Sequence, residues 1–307
     1  MKKVFVINGG AGRIISALPA FQKYYKKHGP DFYILSESGL DFFIGHPELE
    51  DLSFDLSHKG LFENIIKPNE MVSLEPYREH GYYNQKKSLA ESFDKLINET
   101  DDHSDLERPK IILSKLEEIN AVDVINTAKE HHKKKKTVII QPFGRGSNLH
   151  NSGHIVDPSN RSLSTDDYFY ISEKIRKKYN LISFSEHRFD NDQNMYVNAS
   201  IRQWAAIVEA ADYLVGIDSV GQHMAYAFNK PGSVILGSTF AENISYAHHF
   251  NIVEKKDNKK KYSPIRIHGL DGELADRYND STMDFTKKEL DEIITNIMNH
   301  IKQKIGE

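Results

Sequence analysis

Short apolar runs alternate with helically spaced apolar residues along most of the chain. Residues 4–7 (VFVI) and 32–35 (FYIL) are continuous apolar runs, the pattern of strands buried on both faces of a parallel sheet. Between them Asn8-Gly9-Gly10-Ala11-Gly12 reads as a tight turn. Ile14, Ile15, Ala17, Leu18, Phe21, Tyr24 and Tyr25 then fall on one helix face. The opening is strand, glycine loop, helix, strand: one mononucleotide-binding half. The same reasoning predicts strands near residues 52–54 and 71–74 and helices over 89–97 and around 111–125.

The run His131-His132-Lys133-Lys134-Lys135-Lys136 breaks this pattern, and residues 137–140 (TVII) start a fresh buried strand. A domain boundary is expected there. Beyond it, helices are predicted over 166–178, 201–211 and 222–228, and strands over 181–184, 213–217 and 233–236. Such alternation implies a parallel sheet with right-handed crossovers. Thr286 and Glu289 form a Thr-x-x-Glu capping box that opens a long terminal helix through about residue 304. Residues 255–261 (KKDNKKK) read as a solvated insertion.

The chain's 307 residues suit two α/β domains of roughly 130–170 residues each. A net charge of -4 gives no general pull toward nucleic acid or membrane. The absence of cysteine excludes disulfides, zinc–thiolate sites and a thiol nucleophile. No apolar run approaches the roughly 20 residues of a membrane span, and a cytoplasmic protein is expected.

Candidate chemistry clusters at two strand ends. Gly10-Ala11-Gly12 lets backbone approach a ligand at a helix N-terminus. The third glycine of a dinucleotide fingerprint is replaced by Ile15, and no Gly-Lys-Ser/Thr is present, which excludes a P-loop. In the second half a buried strand ends at Asp218-Ser219-Val220-Gly221, and His223 lies in the first turn of the next helix. Ligands of open α/β sheets bind outside such strand ends. Arg145, in the loop after the strand at 137–140, is placed to pair with phosphate. Asp190-Asn191-Asp192 spells a metal-binding triplet but lies in a polar turn. His131-His132 and His248-His249 lack spaced ligand partners. Trp204, at helical spacing, reads as core.

The stretch 201–240 resembles the family 9 glycosyltransferases of the lipopolysaccharide heptosyltransferase type. These carry Asp-Ser/Thr-Gly-x-x-His-x-Ala, matched by Asp218, Ser219, His223 and Ala225; Val220 replaces the glycine, and Gly221 comes one residue late. Lys230-Pro231, Gly237-Ser238-Thr239, Gln141-Pro142-Phe143-Gly144-Arg145 and Gly12 with Leu18-Pro19-Ala20-Phe21 extend the likeness into both halves. The resemblance implies a GT-B fold: two Rossmann-like, doubly wound parallel-sheet domains facing across a cleft. Residues 1–136 would form the acceptor side, 137–285 the nucleotide-sugar side, and 286–307 a helix returning to the N-terminal domain. It also implies a metal-independent sugar transferase with no cofactor, its nucleotide sugar being a substrate and its hydroxyl acceptor unidentified. Arg145, Glu186, Asp218, Ser219, Val220, Gly221 and His223 would bind the donor, Glu186 through a ribose hydroxyl. The N–H groups of residues 219–221 would lie on the diphosphate. Gly10, Gly12 and Arg13 would form the acceptor loop, and Arg13 and His223 would take part in catalysis.

One departure bears on mechanism. The family has an Asp proposed as the base where this chain has Arg13, and an Arg cannot accept a proton. Arg13 would then bind an anionic acceptor or the donor phosphate. Glu37, Glu75 and His150 are alternative bases by loop position. Two other functions remain open: transfer to modified DNA, with the lysines of 133–136 and 255–261 on phosphates, and a non-catalytic nucleotide-sugar binder.

Overall fold

The computed structural model describes residues 1–255 and 282–306, which divide into two compact units. The first runs from Met1 to Ser114. It contains β1 (Lys3–Ile7), α1 (Ala11–His28), β2 (Phe32–Ser36), β3 (Ser53–Asp55), β4 (Glu70–Ser73), α2 (His80–Tyr83) and α3 (Leu89–Asn98). Its strands pair in parallel in the order β3-β2-β1-β4. Phe5 of β1 packs edge-on against Tyr24 of α1, with ring centres 5.1 Å apart, and against Phe32 of β2 at 6.0 Å. α1 also packs on α3, whose N-terminus is closed by a Ser88/Glu91 capping box.

The second unit begins at Lys115. It holds α4 (Lys115–His132), β5 (Thr137–Ile140), β6 (Asn148–Leu149), β7 (Ile155–Val156), α5 (Thr165–Arg176), β8 (Asn180–Ser183), β9 (Met195–Tyr196), α6 (Ile201–Ala210), β10 (Tyr213–Ile217), α7 (Val220–Ala227), β11 (Gly232–Leu236), α8 (Ala241–Ile244), β12 (Asn251–Glu254) and α9 (Lys287–Ile305). Six parallel strands form the sheet in the order β12-β11-β10-β5-β8-β9, and β6 and β7 make a separate antiparallel hairpin. The central strands β5, β8, β10 and β11 are buried along their whole length, as fits mainly apolar strands covered on both faces. Ser164 and Ser200 cap α5 and α6 by accepting N–H bonds, each worth about 1 kcal/mol.

One organisational expectation needs correction. The units divide between Ser114 and Lys115, not near Lys136, because α4 packs on α6 and β8. Arg202 of α6 clamps Glu117 of α4 with bonds of 2.5 and 2.7 Å. The terminal helix α9 belongs to the second unit. Its apolar face (Leu290, Ile293, Ile294, Ile297, Ile301) shares a core with Val138, Tyr168 and Tyr213 of the second. The lysine-rich insertion lies outside the described residues apart from Lys255. Among the described residues no helix is long and apolar enough to cross a membrane.

Each sheet has one place where the strand order reverses. In the first unit the chain steps from β1 outward to β2 and β3, and β4 then lies on the other side of β1. In the second it steps from β5 to β8 and β9, and β10 then starts the opposite flank. Crevices at such switch points, at the carboxyl ends of the strands, are where open α/β sheets bind ligands.

Candidate functional site

The β5–β10 crevice is closed at its floor by one hydrogen bond. Gly221, in the first turn of α7, donates its N–H to Oε1 of Gln141, which follows β5, at 2.8 Å. A Cβ on residue 221 would sit 2.5 Å from that oxygen, so any larger residue would have to displace the Gln141 amide. Ser219 donates its N–H back to Ile217 O at 2.7 Å. The expectation that the N–H groups of residues 219–221 all face a diphosphate is therefore corrected, because two of the three are spent within the protein. Among the described residues nothing accepts the Val220 N–H.

Asp218 ends β10 and is buried; burial pushes its carboxyl up, against Arg161 and Thr239. Its Oδ2 lies 3.6 Å from Nη1 of Arg161, which also approaches the Asp218 carbonyl oxygen at 3.5 Å. Arg161 escaped the sequence reading. The Asp157 carboxylate accepts from the N–H groups of Ser159 (2.9 Å) and Ser162 (3.0 Å) and from both their hydroxyls. Burial raises the Asp157 carboxyl, but these bonds and Arg161 outweigh it and hold the group below the usual range. Ser162 Oγ in turn accepts from Gly144 N–H at 2.9 Å, which ties the loop to the end of β5. The signal in the sequence was the turn run Asp157-Pro158-Ser159-Asn160 a few residues before a Ser-capped helix. That position puts Arg161 at the carboxyl edge of the sheet.

His223, buried in the first turn of α7, shares a 2.8 Å hydrogen bond between Nδ1 and the Tyr246 hydroxyl. Burial, and then the Arg161 charge, push the imidazole down to about 4, so it is neutral at neutral pH. Tyr246 stacks flat on Tyr226, with ring centres 3.7 Å apart. Arg145 and Glu186 follow β5 and β8 on the same edge, both exposed. His187, next to Glu186, hydrogen-bonds Ser147 Oγ at 2.9 Å. The crevice thus collects an arginine, a neutral histidine, a backbone N–H and a buried carboxylate, a set suited to a phosphorylated ligand that also carries hydroxyls.

Gly10, Gly12 and Arg13 belong to the first unit, at its β1–β4 switch point. Arg13 is buried, donates to Leu74 O at 2.7 Å and lies 3.4 Å from Glu75 Oε1. Its guanidinium covers the Tyr77 ring at 4.8 Å. Glu37 is exposed after β2, and His150 is exposed at the tip of the β6–β7 hairpin.

The weaker motifs have structural employment. Asp192 accepts from the Tyr168 hydroxyl at 2.5 Å and from the N–H of Asn194 at 2.9 Å. Trp204 stacks on Phe184 at 4.1 Å in the core. His131 and His132 stack edge-on at the end of α4, and His248 meets the Tyr226 hydroxyl at 3.2 Å. Lys136 pairs with Asp212 at 2.9 Å. Among the described residues no group of three or more His, Cys, Asp or Glu is placed to hold a metal ion.

No family model matches the sequence, and no curated protein matches it. Solved structures do match the fold. A family 9 glycosyl transferase from Veillonella parvula superimposes with a TM-score of 0.62 at 10% identity, covering 98% of this chain and 97% of that one. ADP-heptose lipopolysaccharide heptosyltransferase II of E. coli gives 0.58 at 11% identity, covering 99% of each chain. The dodecameric, iron-containing heptosyltransferase TibC of enterotoxigenic E. coli, in complex with ADP-D-β-D-heptose, gives 0.59 at 9% identity, covering 98% of this chain and 76% of that one. The chain therefore has the two-unit parallel α/β fold of the heptosyltransferase-type, GT-B glycosyltransferases.

Proposed function

We propose that this chain transfers a glycosyl group from a nucleoside-diphosphate sugar to a hydroxyl of a glycan or small-molecule acceptor. The observation that carries this is Arg161 held against Asp218 at the β5–β10 switch point, beside neutral His223 and the Val220 N–H. In the transfer, an acceptor oxygen bonds to the anomeric carbon and the bond from that carbon to the diphosphate breaks. The diphosphate leaves with the electron pair. Arg161, the Val220 N–H and a His223 ring N–H stabilise its growing charge from fixed positions, which is where preorganised donors contribute most. Asp218 repels phosphate by charge, so its part is to aim Arg161 and to accept from a sugar hydroxyl. Arg145 and Glu186 are the rim groups for phosphate and ribose. The second unit is then the donor side and the first the acceptor side.

The likeness to TibC with its bound ADP-heptose makes that compound the first donor to test. We read the reaction as metal-independent: Arg161 can supply the positive charge that a divalent cation would otherwise give a leaving diphosphate. Turnover that persists in chelator is expected, and loss restored by manganese or magnesium would overturn this part. The main test is calorimetry with ADP, UDP, GDP and CDP. One of them should bind the wild type, and Arg161→Gln should weaken that binding at least about tenfold. No binding of any of the four would overturn the proposal.

A further inference from the structure

The first unit's switch point holds a carboxylate that the donor chemistry does not use. β1 and β4 run side by side, with Val6 opposite Ser73, and Leu74 donates its N–H to Val6 O at 3.0 Å. Glu75, the next residue, therefore stands at the carboxyl end of β4, directly beside the turn that follows β1. That turn is shaped around Arg13. Gly9 adopts a φ of +92°, and a Cβ there would lie 2.8 Å from Arg13 Cδ. Arg13 reaches across from the first turn of α1 to Leu74 O and Glu75 Oε1, with Tyr77 beneath its guanidinium. Its side chain is 2% exposed, whereas that of Glu75 is 21% exposed. The cation is thus buried structure, and Glu75 is the partner with solvent-exposed surface, although its Oε1, which faces Arg13, is itself buried. In the same turn the Asn8 Oδ1 is buried and has no hydrogen-bond partner among the described residues.

We infer that Glu75 is the base that takes the proton from the acceptor hydroxyl, and that Arg13 is its positioning residue. This rests on the proposed transfer reaction. Arg13 cannot accept a proton, which removes it as the base. Glu37 also stands beside this turn, its N–H donated to Ile7 O at 2.9 Å, but among the described residues no ion pair or hydrogen bond fixes its exposed side chain, whereas Arg13 holds Glu75. The step balances: the acceptor O–H bond breaks toward a Glu75 oxygen while the acceptor oxygen bonds to the anomeric carbon. The leaving diphosphate carries off the electron pair of the broken bond, and Glu75 later returns the proton to water.

The test uses the whole chain with ADP-D-β-D-heptose, followed by ADP release with water or glycerol as the probe acceptor, and ADP calorimetry alongside. Glu75→Gln, nearly isosteric, should lose about 10²–10⁴-fold in kcat while ADP affinity stays within about twofold. Glu75→Ala should be equally slow and should recover at least about tenfold when sodium formate is added, since formate restores a carboxylate beside Arg13. A merely structural ion pair would give no such recovery of rate at constant ADP affinity. Glu75→Gln turning over within about threefold of wild type would overturn the assignment, as would Glu75→Ala that formate does not rescue. ADP binding without ADP release by the wild type would also count against the base. Failure of the wild type to bind any nucleotide would appear in the calorimetry alone and overturns the transferase proposal, and Glu75 with it.

Discussion

Nη1 of Arg161 lies 3.6 Å from Oδ2 of Asp218, and the two side chains are 29% and 8% exposed. The pair is largely shielded, so removing one partner leaves the other as an uncompensated charge. For fully buried pairs this costs roughly 3–5 kcal/mol, and the exposure of Arg161 places this one lower. Arg161→Gln should therefore lower Tm by roughly 3–8 °C at neutral pH as well as weaken nucleotide binding. Asp218→Asn in the same chain should recover most of the Tm and none of the affinity. Thermal denaturation and calorimetry on the single and double variants separate the two effects, and parallel recovery of both would show that the affinity loss was only a stability effect.

The Gly221–Gln141 contact couples the ends of β10 and β5. Gly221→Ala brings a methyl to 2.5 Å from Gln141 Oε1 and should cost on the order of 1–3 kcal/mol. Gln141→Ala leaves the Gly221 N–H without its acceptor and should cost about 1–3 kcal/mol. With both changes the methyl has room, so the double variant should be less destabilised than the sum. Denaturant midpoints on the four proteins give the coupling energy, and simple additivity would mean the contact is not tight.

His223 makes stability depend on acid. Its folded value, about 4, lies below the ordinary 6.5, so between those values the unfolded chain binds a proton that the folded chain refuses. The contribution of His223 to stability is full above about pH 6.5 and is lost as pH falls toward 4, at up to about 1.4 kcal/mol per pH unit. His223→Asn should flatten that part of the profile. Urea midpoints across pH 4.5–7.5 test this, and an unchanged slope in the variant would remove His223 as the cause.

The parallel α/β elements were legible because buried strands such as TVII and YLVGI are unbroken apolar runs and the helices keep their spacing and caps. The turn after β10 was legible by position. What the sequence hid were partners fixed by tertiary packing. Nothing local says that Gln141 takes the Gly221 N–H, or that Arg161, far from Asp218 along the chain, folds against it. α4 has a weakly amphipathic sequence with exposed Leu116, Ile119 and Val122, so its allegiance to the second unit rests on packing and on Arg202–Glu117 rather than on a clear apolar stripe. The lysine run after α4 marks the end of a helix rather than the edge of a compact unit.

Ser219 offers the most direct test of where the donor binds. Its side chain does not cap α7, and its N–H bonds to Ile217 O, a backbone link that any residue retains. Its backbone is extended, with φ -155° and ψ 178°, so a large residue meets no torsional obstacle. It is partly exposed, at the mouth of the crevice between Asp218 and the Val220 N–H. Ser219→Trp should therefore leave Tm within roughly 2–4 °C of wild type, about the effect of 1 kcal/mol. It should also fill the space a phosphate needs beside Arg161 and weaken nucleotide binding by more than about tenfold. Asn126→Trp, on the exposed face of α4, is the control and should change neither. Calorimetry with the nucleotide that binds wild type decides the matter. A folded Ser219→Trp protein that binds as tightly as wild type would place the donor elsewhere and leave the β5–β10 crevice without its assigned role.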